Sequence, residues 1–250
     1  MVNFMELKGA HIYETDISLF DKNGLMTPQG YQRAIILTTE KELKRINLSI
    51  PEMLEKFGVS WILLSLSVKI EKPIKAGMQL VVNTWHTNKK GIIFRRDFEI
   101  CSSDGERLAL GATFSSLIDL NKRRICMDRS VYDQLNLPER EPLFPAESKT
   151  TPQGEFEPCE TLEVRPCWID SLGHVNNFRY GELAFDNLPL EYFEKSNLLA
   201  RIELFFTGEL LLGEKVNISR KNENGIVEIK GEHAENSKPA FFCKLTYNCD

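Results

Sequence analysis

Trp168-Ile169-Asp170-Ser171-Leu172-Gly173-His174-Val175-Asn176-Asn177-Phe178-Arg179-Tyr180 is the stretch from which the chain is best read. Residues 162–167 before it alternate like a strand, and Asn176 or Asn177 is placed to cap a helix running to about Leu188. Asp170 and His174 then sit in a loop at the edge of a sheet, held by a rigid scaffold without being buried in it. Gly173 lets the backbone bend tightly. The amides of residues 174–177 fall at a helix N-terminus, where unpaired N–H groups and the helix dipole favour a developing oxyanion. Each residue type has a plain structural use by itself, because Asp and Asn cap helices, Gly turns and His fills gaps. Together they exceed what capping requires. A carboxylate and an imidazole so placed can serve as base, nucleophile or orienter.

Working outward, strand-like runs follow at residues 200–206, 214–221, 226–233 and 240–248, with turn sequences at Asn222-Glu223-Asn224-Gly225 and before Pro239. The first half has the same order. A strand is expected at 11–17, and Thr27-Pro28 supplies an N-cap followed by proline at the first helical position. Tyr31, Ile35, Thr38, Leu43 and Ile46 then recur near helical period. A shorter helix at 51–57 should stop at Gly58, and strands are expected at 59–70, 78–86, 91–101 and 107–120. Strand, loop, helix and four strands, met twice, is a duplication of pattern rather than of residues. Between the halves, Pro138, Pro142, Pro145 and Pro152 mark a linker. The expectation is an α+β chain in which each half wraps a curved antiparallel sheet around one long helix, divided as 1–135, 136–157 and 158–250.

Composition narrows the function classes. Of 250 residues 42% are hydrophobic and 27% charged, the balance of a soluble globular protein with a sizeable core. The formal net charge of −5 gives no global attraction for nucleic acid. Its distribution is uneven: residues 1–135 carry 19 basic and 16 acidic side chains, and 136–250 carry 12 and 20. Residues 1–8 lack the basic start and apolar run of a secretory signal. The apolar run around Trp61-Ile62-Leu63-Leu64 falls far short of the ~20 residues that span a bilayer. Cys101, Cys126, Cys159, Cys167, Cys243 and Cys249 form no C-x-x-C pair and read as reduced thiols in a cytoplasmic protein. No cluster of metal ligands or glycine-rich phosphate loop occurs, so neither metal nor cofactor is expected. His11, His86 and His233 lie on strand-like stretches without companion ligands and read as structural or surface residues.

At Asp170, Gly173, His174, Val175, Asn176, Asn177 and Tyr180 the sequence resembles the hot-dog fold thioesterases, whose signature is Asp-x-x-Gly-His-Val-Asn-Asn-x-x-Tyr. One hot-dog module covers about half the chain, so the whole resembles the tandem acyl-ACP thioesterases of plants and their bacterial relatives. Trp61, Asn83-Thr84-Trp85, Arg95-Arg96-Asp97-Phe98 and Asp119 followed by Lys122-Arg123-Arg124 extend the likeness into the first half. The resemblance implies hydrolysis of a fatty acyl thioester on acyl carrier protein. It makes Asp170 the catalytic aspartate, as base or nucleophile, and His174 its assistant, with Gly173, Val175, Asn176 and Asn177 positioning substrate and oxyanion. Many relatives carry Asn two residues before the histidine. Leu172 stands there in this chain and leaves Asp170 and the amides more of the burden.

A second acid is implied about 35 residues after the histidine, and alignment through Gly213-Glu214-Lys215-Val216 gives Glu209, with Glu203 six residues earlier. Gly208 and Leu210 flank Glu209 where plant enzymes place a cysteine, so no cysteine nucleophile is implied. The first-half loop at 16–24 has carboxylates but no His-Val-Asn-Asn and reads as catalytically silent. Lys122, Arg123 and Arg124 read either as a solvated loop or as a docking site for an acidic carrier. An acyl-CoA thioesterase of the same fold and a non-catalytic acyl-binding module stay open at this point, as do monomer and homodimer.

Overall fold

The structure is a computed structural model that describes residues 9–135 and 137–248. The leading segment 1–8, Asn136 at the start of the expected linker, and Cys249 lie outside the described residues. Helix α1 (Pro28–Arg45) opens as its sequence demands: the Thr27 side chain accepts from the Gly30 N–H, and Pro28 needs no partner at the first helical position. Its buried face carries Tyr31, Ala34, Ile35 and Thr38, while Leu43 and Ile46 are half-buried. Each large apolar side chain removed from water there contributes about 1.5–3 kcal/mol. Helix α2 (Ile50–Phe57) begins with a capping box between Ser49 and Glu52 and ends on Gly58 in the left-handed conformation.

Among the described residues eleven strands form one sheet: β1 (Ala10–Tyr13), β2 (Ser60–Ile70), β3 (Leu80–Lys90), β4 (Ile93–Ser102), β5 (Arg107–Asp119), β6 (Arg124–Ile125), β7 (Glu157–Glu163), β8 (Leu199–Phe206), β9 (Lys215–Glu223), β10 (Ile226–His233) and β11 (Pro239–Tyr247). Their order is β1-β3-β4-β5-β2-β8-β11-β10-β9-β7, with β6 beside β5, and the pairs are antiparallel. Read inward from either edge, the two halves give the same order of corresponding strands. They join at β2 and β8, where buried Leu66 and Val68 face Leu204 and Ile202. Register shifts at Leu63/Ser65 in β2 and Gly231/Glu232 in β10 bend the sheet locally.

Helix α4 (Phe178–Asp186) packs against α1, and the pairs Gln29–Glu182 and Arg33–Phe178 show that the two run antiparallel. It has 9 residues against 18 in α1, so only the first half has the long helix expected of both. Pro189 explains the early stop, because it disfavours helical conformation at Leu188 and restarts the chain as α5 (Leu190–Glu194). Two strands begin or end differently from the pattern. β1 stops at Tyr13 because the Asp16 side chain accepts from the Ser18 N–H and closes a 3-10 turn at Ile17–Leu19. β7 starts at Glu157, inside the expected linker, and gives way to a 3-10 turn at Pro166–Trp168. As an edge strand with a register shift at Pro158/Glu160, it tolerates its proline. Helix α3 (Arg129–Gln134), α5 and β6 are too short to leave a periodic signal.

The linker is strapped to the sheet. Arg95, buried and ion-paired to buried Asp97 at 2.8 Å, donates to the Phe144 carbonyl at 2.7 Å, and Arg201 donates to the Pro145 carbonyl at 2.8 Å. Several first-half residues that carried the family likeness thus have structural work. Asp97 also accepts from Thr87 at 2.6 Å, and the Trp61 indole N–H donates to the Leu48 carbonyl at 2.8 Å.

Candidate active site

The loop between the 3-10 turn at Pro166–Trp168 and α4 is a closed hairpin. The Asp170 N–H donates to the His174 carbonyl at 3.0 Å and the Gly173 N–H to the Asp170 carbonyl at 3.1 Å, while Ile169 and Val175 bridge its base. Gly173 takes φ +85° at the tip, a conformation that disfavours any side chain. Asp170 Oδ1 accepts from the Leu172 N–H at 2.8 Å, and Oδ2 faces His174 Nδ1 at 3.4 Å. Both side chains are about one-fifth exposed, at 21% and 22%, so substrate can reach them while the hairpin holds them.

The four amides of 174–177 separate into two kinds. The Val175 N–H is committed to the Leu210 carbonyl at 2.9 Å and the Asn176 N–H to the Trp168 carbonyl at 2.8 Å. Among the described residues, the His174 and Asn177 N–H groups have no partner. The Val175 and Asn176 amides are thus spent on holding the loop in the fold. Asn176 also places its side chain, accepting from the Phe178 N–H at 3.0 Å, whereas Asn177 occupies the N-cap position with no side-chain bond.

Tyr180, 3% exposed, packs its ring against Phe206 and Phe241 behind the loop. Burial above all, and then the Glu209 and Asp170 carboxylates, push its hydroxyl well above the usual range, which keeps it a neutral donor. Glu209 lies in the loop after β8, next to the Leu210 that pairs with Val175. Its carboxylate is ion-paired to Arg123, and no hydrogen bond or ion pair joins it to Asp170 or His174 among the described residues. Lys122 pairs with Asp119 at 2.8 Å, and Arg124 is exposed on β6. The basic run of the first half thus touches the second half through Arg123. Glu203 lies elsewhere, on β8 with Arg201 at 3.1 Å, and lines a cavity of about 220 Å³ under the linker with Glu147, Glu228, Phe205 and Phe242. None of the site residues lines that cavity.

The remaining histidines have partners of their own. His11 Nε2 lies 3.2 Å from Glu42, and His233 Nδ1 3.5 Å from Glu214. His86 is buried against Phe94 and pushed down to about 4, first by burial and then by Arg96 and Lys89. Among the described residues no group of His, Cys, Asp and Glu could hold a metal ion.

Two family models match the chain: the acyl-ACP thioesterase N-terminal domain over residues 7–134 and the acyl-ACP thioesterase C-terminal domain over residues 153–244. Among solved structures, it is similar to an acyl-ACP thioesterase from Bacteroides thetaiotaomicron VPI-5482, with 19% identity, a TM-score of 0.84 and coverage of 96% of this chain and 97% of that one. The 12:0-ACP thioesterase from Umbellularia californica shares 14% identity at a TM-score of 0.81, covering 96% of each chain. A putative oleoyl thioesterase from Lactobacillus plantarum shares 17% at 0.76, again over 96% of each. At these identities the likeness establishes a shared hot-dog fold. No curated protein sequence matches.

Proposed function

The chain belongs to the acyl-ACP thioesterase family, and from that membership we propose how its residues divide the reaction. As a member it is a thioester hydrolase that releases free fatty acid from acyl carrier protein. We read it as two hot-dog modules in tandem, 1–135 and 158–250, joined by the linker 136–157. The repeated strand order and the antiparallel pairing of α1 with α4 support that division.

One observation carries the assignment of the site: Asp170 and His174 pair within the hairpin, and the His174 N–H and, three residues on, the Asn177 N–H have no partner among the described residues. In our reading the thioester carbonyl points at those N–H groups, which stabilise the charge that develops on its oxygen. Asp170 generates the attacking group. Either its carboxylate takes a proton from water, which adds to the carbonyl carbon, or it adds directly and water then cleaves the resulting anhydride. In both routes the C–S bond breaks and the carrier thiol leaves with a proton. His174 orients and tunes the carboxylate through Nδ1, and Glu209 acts on the same site from the loop after β8. No step calls for a metal or cofactor.

Lys122, Arg123 and Arg124 form the proposed docking site, because a basic loop on the positive half meets an acidic carrier with a complementary field. Among the described residues no helix is long and apolar enough to cross a membrane, and the described cysteines are unpaired, as a reducing cytoplasm keeps them. The decisive experiment measures free fatty acid released from acyl-ACP by the wild type and by Asp170→Asn. Loss of turnover in a folded variant is expected; wild-type turnover would sink the assignment.

A further inference from the structure

The first half contributes more than a wall to this site. Gln32 lies in the first turns of α1, fully buried, and its Nε2 donates to the Asn177 carbonyl at 2.6 Å, from one half of the chain to the other. That carbonyl can only accept, so the amide orientation is forced and Oε1 points the other way. There it has no hydrogen-bond partner among the described residues. It abuts Gly181: a Cβ at Gly181 would stand 2.5 Å from Oε1 and 3.2 Å from Gln29 Cα. Gln32 and Gly181 are counterparts, each eleven residues after the aspartate of its own loop, Asp21 and Asp170. One side of the helix seam is thus filled by a long amide and the other is emptied to receive it.

Packing alone does not call for an amide here. A buried carbonyl without a partner destabilises the fold, and Met has the same length with no polar atom to satisfy. What the amide does is hold Asn177. That residue bears one of the two open N–H groups, and its own side chain makes no capping bond that would fix it. Among the described residues the only backbone donor to its carbonyl is the Tyr180 N–H at 3.3 Å, longer than the bond from Gln32.

We propose that Gln32 is a positioning residue of the thioesterase site: it fixes the N-cap of α4 from the non-catalytic half and thereby aims the Asn177 N–H at the thioester oxygen. The proposal rests on the reading that the His174 and Asn177 N–H groups receive that oxygen.

Gln32→Met tests it, with steady-state hydrolysis of acyl-ACP and thermal unfolding measured on the same preparation. Expected is a kcat about tenfold lower, a KM within about twofold of wild type and a Tm unchanged or raised, since the change removes an unpaired polar atom while displacing a donor by a fraction of an ångström. Gly181→Ala provides a second route, because its methyl drives the Gln32 amide off Asn177 while leaving Gln32 in the chain; kcat should fall there too. Wild-type kcat in either folded variant overturns the proposal, as does a loss confined to KM. Asp170→Asn is assayed beside them. If that variant keeps its activity, the site assignment itself fails; if it is inactive while Gln32→Met is fully active, only the role of Gln32 does.

Discussion

The loop at Phe20–Met26 and the loop at Ile169–Val175 are the same hairpin with different consequences. Both are closed by a bridge at the base, Phe20 with Met26 and Ile169 with Val175. In both the aspartate N–H donates to the carbonyl four residues on, at 2.8 Å for Asp21 and 3.0 Å for Asp170. Both tips are a glycine with positive φ, +70° at Gly24 and +85° at Gly173. Behind each lies a buried tyrosine ten residues after the aspartate, Tyr31 or Tyr180. The difference is in what the carboxylate does. Asp21 Oδ1 accepts from both the Asn23 and Leu25 N–H groups, at 2.8 and 2.9 Å, and Leu25 offers no ring. Among the described residues Asp170 Oδ1 accepts only from Leu172, which leaves the His174 N–H without a partner and Oδ2 turned to the imidazole. The first turn holds the N–H of its fifth residue, Leu25, on the aspartate, whereas the second leaves the corresponding His174 N–H without a partner among the described residues and sets an imidazole against the carboxylate.

The contrast breaks most sharply at the two aspartates. Asp170→Asn is expected to lower kcat about 10³-fold, the scale of a lost acid–base or nucleophilic group, whereas Asp21→Asn should leave kcat unchanged. Asp21→Ala, which strips two hydrogen bonds from the first-half loop, should cost about 1–2 kcal/mol in urea unfolding and nothing in turnover. Writing one loop into the other comes next. His174→Leu should lower kcat about 10²-fold, and Leu25→His should create no second activity when added to Asp170→Asn, because the donor at position 25 is already spent. Reversing Lys122, Arg123 and Arg124 to Glu should lower kcat/KM on acyl-ACP about tenfold at low salt, with the deficit shrinking as salt rises; Arg123→Ala alone separates docking from the Glu209 ion pair.

The smallest effect on catalysis concerns the two inner faces of the sheet. Among the described residues His86 is the only buried histidine, and it lies in the first half. The folded pKa of His86 is about 4, below its ordinary 6.5, so the unfolded chain binds more protons between those values. Stability from this group is therefore present above about pH 6.5 and lost as pH falls toward 4, by about 3 kcal/mol at most. His86→Gln should flatten unfolding free energy against pH in that window without moving kcat at neutral pH.

Much of this was legible in the residues. Thr27-Pro28 and Gly58 marked helix ends because caps are local chemistry. The string from Asp170 to Tyr180 marked the candidate site because its types and spacing are rare together. The repeat of Asp-x-x-Gly with tyrosine ten residues on was present too, at Asp21 and Asp170, but an expected strand through Ile17 hid the register of the first loop. The shorter second helix was not expected despite Pro189, and Glu157, where β7 starts, was expected as linker because an edge strand that accepts proline cannot be told from a loop by sequence.

Local chemistry by itself determined the elements, the family and the aspartate–histidine loop, since caps, periodicity and motif spacing act within a dozen residues. Tertiary structure alone decided which amides stay open, for the partners of Val175 and Asn176 are set by where the Leu210 and Trp168 carbonyls come to lie. It also decided that Arg123 meets Glu209 and that Gln32 meets Asn177, contacts across 86 and 145 residues of chain. No pattern along the sequence encodes such a pair, because a hydrogen bond depends on ångström placement that only the closed sheet and its two packed helices supply.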